Sequence, residues 1–232
     1  LCAKASLRTG SGLVYNICPN SISDILQIKA VENIVLPISD DNKGCFTFRY
    51  IDEIIDKISN LDAIAIGCGL GRNEENAKIL EMIVKNFKKP IVIDADAIFF
   101  LRNIKAEILN RNNIVITPHE VEFSRFSSYD LKNIKENRLE VVNKFFEKNL
   151  NYTLVLKGKN TIVKSDEEIY INNTGNSGMA TAGSGDCLTG IILSLLGQGL
   201  SAFNSAKLGV FIHGLAGDFA KEELGEDSAE LK

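Results

Sequence analysis

Asp62-Ala63-Ile64-Ala65-Ile66-Gly67-Cys68-Gly69-Leu70-Gly71 is the stretch that decides the fold. Its first half is a short apolar run, which reads as a strand. Its glycines end that run, and from about Glu74 the apolar residues Ile79, Met82, Ile83 and Phe87 recur at helical spacing. A second strand candidate, Pro90-Ile91-Val92-Ile93-Asp94, comes next, and Asn113-Ile114-Val115-Ile116-Thr117 follows it. Strands that are apolar at nearly every position and separated by helices predict a parallel sheet covered on both faces. Upstream, Gly12-Leu13-Val14-Tyr15-Asn16-Ile17 reads as another buried strand. Downstream, residues 131–150 read as one charged helix with Leu139, Val142, Phe145, Phe146 and Leu150 on one face.

The pattern then tightens. Residues 152–156, 161–164 and 168–171 are strand candidates whose connections are too short for crossovers, so they are expected to pair antiparallel. A polar, glycine-rich loop over 172–184 leads into two apolar helices, 185–196 and 201 to about 222. With no internal repeat or linker, the whole chain of 232 residues is expected to be one α/β domain.

Composition excludes several classes of function. Lys plus Arg is 26 against 30 Asp plus Glu, a net charge of −4, which is the wrong sign for a phosphate-backbone binder. The longest apolar stretches, such as 191–196, fall far short of the roughly 20 residues that cross a bilayer. No nucleic-acid or membrane partner is therefore expected, and a cytoplasmic location is. Cys2, Cys18, Cys45, Cys68 and Cys187 are odd in number and form no CxxC pair, so they read as reduced core residues. Two histidines, His119 and His213, are too few for a structural zinc site.

The chemistry is expected to sit on Gly175-Asn176-Ser177-Gly178-Met179-Ala180-Thr181-Ala182-Gly183-Ser184-Gly185-Asp186. The glycines allow close approach of backbone amides to a ligand, and the apolar run after them makes this a helix N-terminus suited to phosphate. A carboxylate there repels phosphate unless it is used, and the use open to Asp186 is to take a proton from a hydroxyl attacking phosphorus. The plain alternative is a first-turn helix residue. Asp94 and Asp96, at a strand's carboxyl end, suit magnesium or ribose, or else a helix cap. His119 ends the following strand and suits a substrate hydroxyl or amide, with Glu122 capping the next helix. Lys157-Gly158-Lys159-Asn160-Thr161 offers donors to a nucleotide, or is a simple polar turn. His213 reads as a residue that packs or hydrogen-bonds locally.

Taken in order, Leu7-Arg8-Thr9-Gly10-Ser11-Gly12-Leu13-Val14, Gly67-Cys68-Gly69-Leu70-Gly71, Asp94-Ala95-Asp96-Ala97, Thr117-Pro118-His119-Glu120, Leu156-Lys157-Gly158, the long glycine-rich segment and His213-Gly214-Leu215-Ala216-Gly217-Asp218 resemble the ADP- or ATP-dependent NAD(P)H-hydrate dehydratases, a branch of the ribokinase-like superfamily. The resemblance implies a three-layer α/β/α sandwich around a mostly parallel sheet. It also implies repair of hydrated NADH or NADPH by phosphorylation of the ring hydroxyl from ADP or ATP with Mg2+, followed by loss of phosphate. On that resemblance Asp186 is the base and touches substrate, and Gly183, Ser184 and Gly185 form the anion hole. Gly69 and His119 hold the hydrate, and Lys157, Gly158, Lys159, Asn160, Thr161 and Gly185 contact the nucleotide. It further implies a homo-oligomer, commonly a tetramer, and in many bacteria fusion to an epimerase of the same hydrate.

Two positions depart from the family pattern: Cys68 and Ser177 stand where it usually has Pro. A first strand and glycine-containing loop, and a short tail, are expected of the family beyond Leu1 and Lys232. The rival reading is a ribokinase-like kinase of a small vitamin precursor, of thiazole or pyridoxal type. It would share Asp186 but release a stable phosphorylated product.

Overall fold

The computed structural model describes residues 1–225, so residues 226–232 of the expected domain lie outside the described residues. Six strands, β3 (Ile64–Ile66), β4 (Ile91–Ile93), β5 (Ile114–Ile116), β6 (Thr153–Leu156), β7 (Ile162–Lys164) and β8 (Ile169–Ile171), form one sheet in that order. The pairs from β3 to β6 are parallel; β7 and β8 add antiparallel. Two earlier strands, β1 (Tyr15–Pro19) and β2 (Ile34–Ile38), form a separate parallel pair.

Alternation along these short strands builds the layers, because successive side chains leave a strand on opposite faces. Ile91, Ile93, Ile114, Ile116, Leu154 and Leu156 face one core. That core is closed by α3 (Ile51–Ile58), α4 (Asn76–Asn86), α5 (Asp96–Phe100), α6 (Ala106–Leu109), α7 (Glu120–Ser127), α8 (Leu131–Glu136) and α9 (Arg138–Phe146). The intervening Val92, Val115, Val155 and Val163 face a second core under α10 (Ser184–Gly197) and α11 (Ala202–Leu224). The result is the three-layer α/β/α arrangement. Two further helices, α1 (Cys2–Arg8) and α2 (Ser23–Lys29), belong to the N-terminal part. Among the described residues no helix is long and apolar enough to cross a membrane.

Several boundaries differ from the sequence reading. The first strand starts at Tyr15, not Gly12, and Leu13 is 67% exposed. The helix expected over 131–150 is two helices that meet at Asn137, whose φ of −132° and ψ of 45° are not helical. Leu139 is exposed, while Val141, Val142, Phe145 and Phe146 are buried.

The second core is tight where α1 crosses α10. A Cβ built on Gly190 would stand 2.1 Å from the carbonyl oxygen of Cys2. Gly190→Ala gains about 1 kcal/mol of helix propensity but meets backbone, and overpacking of that kind costs about 1–3 kcal/mol. We expect net destabilisation of up to about 2 kcal/mol, read as a fall in Tm by calorimetry. A raised Tm would show that α1 yields freely at this crossing.

Candidate active site

The loop 172–183 ends at Gly183, whose φ of +90° at the N-cap of α10 is open to glycine at little cost. No side chain caps α10; the Ser184 amide donates to the Thr181 carbonyl at 3.3 Å, and a helix start without a side-chain cap is suited to an anion. Ser184 and Gly185 open the helix and Asp186, half-buried, sits in its first turn. The helix start lies one residue before the position that the sequence pattern gives.

Asp94 is the hub beneath that helix start. It ends β4 and is 1% exposed. It is held by three groups: Lys157 Nζ donates to it at 2.7 Å, Thr189 Oγ1 from α10 at 2.7 Å, and Cys68 Sγ lies at 3.9 Å. Lys157 Nζ also stands 3.4 Å from where a Cβ on Gly185 would be. One sulfur of Cys68 and one carboxylate oxygen each of Asp94 and Asp186 lie within 4.8 Å of one another. A fixed cation, an open helix N-terminus and a carboxylate therefore converge at the carboxyl ends of the parallel strands, where α/β sheets bind ligands.

Backbone conformation makes the convergence possible. Gly67, at φ +128°, brings its Cα so close to β4 that a Cβ would stand 1.7 Å from the Asp94 carbonyl oxygen. Gly69, one residue past Cys68, is exposed and takes φ +70°. Asp96 is neither a cap nor a free ligand: it accepts from the Gly71 amide and from Arg72 Nε, both at 3.0 Å, and so pins the glycine loop.

His119 is the N-cap of α7. Its Nδ1 accepts from the Val121 and Glu122 amides, and Glu122 in turn accepts from the His119 amide at 2.8 Å. With Nδ1 so occupied, the neutral ring carries its proton on Nε2, on a half-exposed side chain. Glu122 Oε2 also lies 4.0 Å from Lys157 Nζ, and the Lys157 amide donates to the Pro118 carbonyl, so the His119 segment and the Lys157 segment are joined. Lys159 and Asn160 lie on the exposed turn between β6 and β7, away from the Asp94 hydrogen bonds. Thr161 closes that turn onto the Gly158 carbonyl. The sequence missed the partners Thr189 and Glu122-to-Lys157, which no local spacing could reveal.

His213 is not a merely local residue. It reaches from α11 to Ser184 Oγ at 3.2 Å, at the start of the anion turn. Burial holds its pKa down at about 4, and the nearby Lys157 pushes the same way. The unfolded chain protonates this His near 6.5 while the folded one stays neutral, so the unfolded state binds more protons between these values. Stability should thus be full above pH 6.5 and fall by about 3 kcal/mol as pH drops from 6.5 to 4. Urea unfolding across that range, compared with His213→Gln, checks it; the variant should show the shallower slope.

Cys68, Asp94 and Asp186 do not make a metal cage. The hydrogen bond to Cys2 and burial push the Cys68 thiol up, so it stays protonated and is a poor ligand. Both Asp94 oxygens are already taken, one by an ammonium group.

Comparison with known proteins gives a consistent result. The sequence profile described as NAD(P)H-hydrate dehydratase matches residues 1–231. The bifunctional NAD(P)H-hydrate repair enzyme Nnr of Moorella thermoacetica is 36% identical over 228 residues, 97% of this chain and 43% of that protein. The ADP-dependent (S)-NAD(P)H-hydrate dehydratase of Neisseria meningitidis serogroup B is 40% identical over 175 residues, 73% of this chain and 58% of that protein. The chain thus spans less than half the length of the bifunctional relative. Among solved structures, the ADP/ATP-dependent NAD(P)H-hydrate dehydratase of Bacillus subtilis, co-crystallised with ATP and Mg2+, superposes with a TM-score of 0.74 at 22% identity. That match covers 100% of this chain and 79% of that one.

Proposed function

Because this chain belongs to the NAD(P)H-hydrate dehydratase family, we propose that it dehydrates hydrated NADH or NADPH at the expense of ADP or ATP. The observation that carries the reading is the placement of Asp186 in the first turn of an uncapped helix, within 4.8 Å of Asp94, whose partner is the Lys157 ammonium. Asp186 takes the proton from the ring hydroxyl as its oxygen attacks the terminal phosphorus. The bond from that phosphorus to the nucleotide's bridging oxygen breaks, and AMP leaves from ADP. The amides of Gly183, Ser184 and Gly185, with Lys157, stabilise negative charge on the phosphoryl oxygens. Magnesium arriving with the nucleotide would supply charge neutralisation on its phosphates. In the second step the carbon–oxygen bond breaks, inorganic phosphate departs with the electron pair, and the adjacent ring carbon loses a proton to restore the double bond. Phosphorylation is needed because hydroxide is a far poorer leaving group than phosphate.

In this reading Gly69 and His119 face the hydrate, with the His119 Nε2 proton as donor, and the 157–161 turn faces the nucleotide. We place the protein in the cytoplasm as a homo-oligomer, a tetramer, coupled or fused to an epimerase. The name and length of the bifunctional relative support the fusion.

Purified NADH hydrate, magnesium and either nucleotide, mixed with the full-length protein carrying this chain, test the function. Recovery of reduced-nicotinamide absorbance that depends on nucleotide is expected. A stable phosphorylated product from a thiazole or pyridoxal panel, with no such recovery, would replace the dehydratase by a kinase.

A further inference from the structure

The motif His213-Gly214-Leu215-Ala216-Gly217-Asp218 has no part in the chemistry above, yet one face of α11 carries it along the whole glycine-rich loop. Near the loop's start, Asn172 Nδ2 donates to the Val210 carbonyl at 3.2 Å and Thr174 Oγ1 to the Phe211 carbonyl at 3.1 Å. Asp218 then accepts from the Gly175 amide at 2.8 Å and from Asn176 Nδ2 at 3.0 Å. Asn176 is held twice more, donating to the Gly217 carbonyl at 2.8 Å and accepting from the Gly178 amide at 3.0 Å. At the loop's end His213 meets Ser184.

The two glycines of the motif let the loop lie directly on the helix. A Cβ on Gly214 would stand 2.2 Å from Thr174 Oγ1 and 2.7 Å from its carbonyl carbon, and one on Gly217 would stand 2.3 Å from Met179 Sδ. Helix and loop are thus shaped to each other at residues 174, 175, 176, 179 and 184.

We propose that this face of α11 is a positioning element for the anion turn, and that Asp218 is its positioning residue, setting where the Gly183–Gly185 amides point. The proposal rests on the reading that those amides receive the transferred phosphoryl group. The physical case is one of precision. A loop of glycines and small residues has little stiffness of its own, and stabilisation of a transferring phosphoryl group depends on donors fixed before the reaction. A carboxylate accepting from a backbone amide and a side-chain amide makes two charge-assisted bonds, stronger than neutral ones. The Gly175 amide accordingly holds the Asp218 carboxyl below the usual carboxylate range. Asp218 is only partly buried, so its loss leaves no charge stranded in a core.

The test uses the full-length protein with Asp218→Ala, Asp218→Asn, Asn176→Ala and the double variant Asp218→Ala/Asn176→Ala. Amide hydrogen exchange over 172–185 should quicken about 10-fold in Asp218→Ala, and Tm should move by no more than about 3 °C. In turnover, kcat should fall about 10-fold or more while KM for the hydrate stays within about 3-fold. Asp218→Asn keeps one acceptor and should lose less. The double variant should lose less than the two single losses together, since Asp218 and Asn176 share one of their contacts. Unchanged exchange over 172–185 in Asp218→Ala, or strictly additive losses, would overturn the proposal. The exchange readout needs no activity: a wild-type protein inert on the hydrate would sink the dehydratase reading while exchange still decides whether Asp218 holds the loop.

Discussion

Asp186→Asn should lower kcat by about 100- to 10,000-fold, the range over which a positioned base contributes. The substitution preserves shape and the helix start, and removes the negative charge together with the capacity to take a proton. Its effect on nucleotide binding should have the opposite sign. The carboxylate stands in the first turn of α10, the helix proposed to take the phosphate, where its charge would oppose that phosphate. The uncharged variant should therefore bind ADP with magnesium at least as tightly as wild type. Calorimetric titration and absorbance recovery on the same preparation separate the two effects. Unchanged turnover would remove Asp186 from the mechanism. Lost turnover with lost ADP binding would mean that the variant had damaged the turn itself.

Asp94→Ala should be the most damaging change to stability. The Asp94 carboxylate is 1% exposed and its ion pair with Lys157, itself 19% exposed, is closed by Thr189. Removing one member of a buried pair leaves the other charged and unsolvated, at a cost of about 3–5 kcal/mol. At this chain length that is a fall in Tm on the order of 10 °C. Lys157→Met should cost a comparable amount by stranding the carboxylate. The double variant should lose clearly less than the two single losses together, because no unpaired charge remains. Its turnover should stay low, since the cation beside the anion turn is gone. Additive losses of stability would show that the two groups do not depend on each other.

The sequence made the parallel strands and the helix start legible because each is signalled within a dozen residues. Ile91 to Ile93 are apolar in succession, and the glycines before Asp186 precede an apolar run. It was less legible where the signal is tertiary. The strand Ile34–Ile38 contains Pro37, which weakens any strand reading, and it forms only as the partner of Tyr15–Pro19. Leu139 looked like core because it is three residues from Val142 and seven from Phe146, but the buried face of α9 centres on Val141, Val142, Phe145 and Phe146, and Leu139 lies at its margin. Asp94 was visible as a carboxylate at a strand end. Its commitment to Lys157 and Thr189, 63 and 95 residues away, was not visible. For the same reason His213 passed as a local residue, although its partner Ser184 lies 29 positions upstream.

The Asp94 hub also sets an order of events during synthesis. The ribosome delivers Asp94 well before Lys157, and Thr189 later still. Strands β3, β4 and β5 emerge with a carboxylate whose burial has no counter-charge until β6 is complete, so the early sheet should keep its carboxyl-end rim wet. The last donor to Asp94, Thr189, arrives only when α10 packs on the sheet. Chain closure and assembly of the catalytic pocket are then a single late event, and a nascent chain stalled before residue 189 should display strands without a binding site.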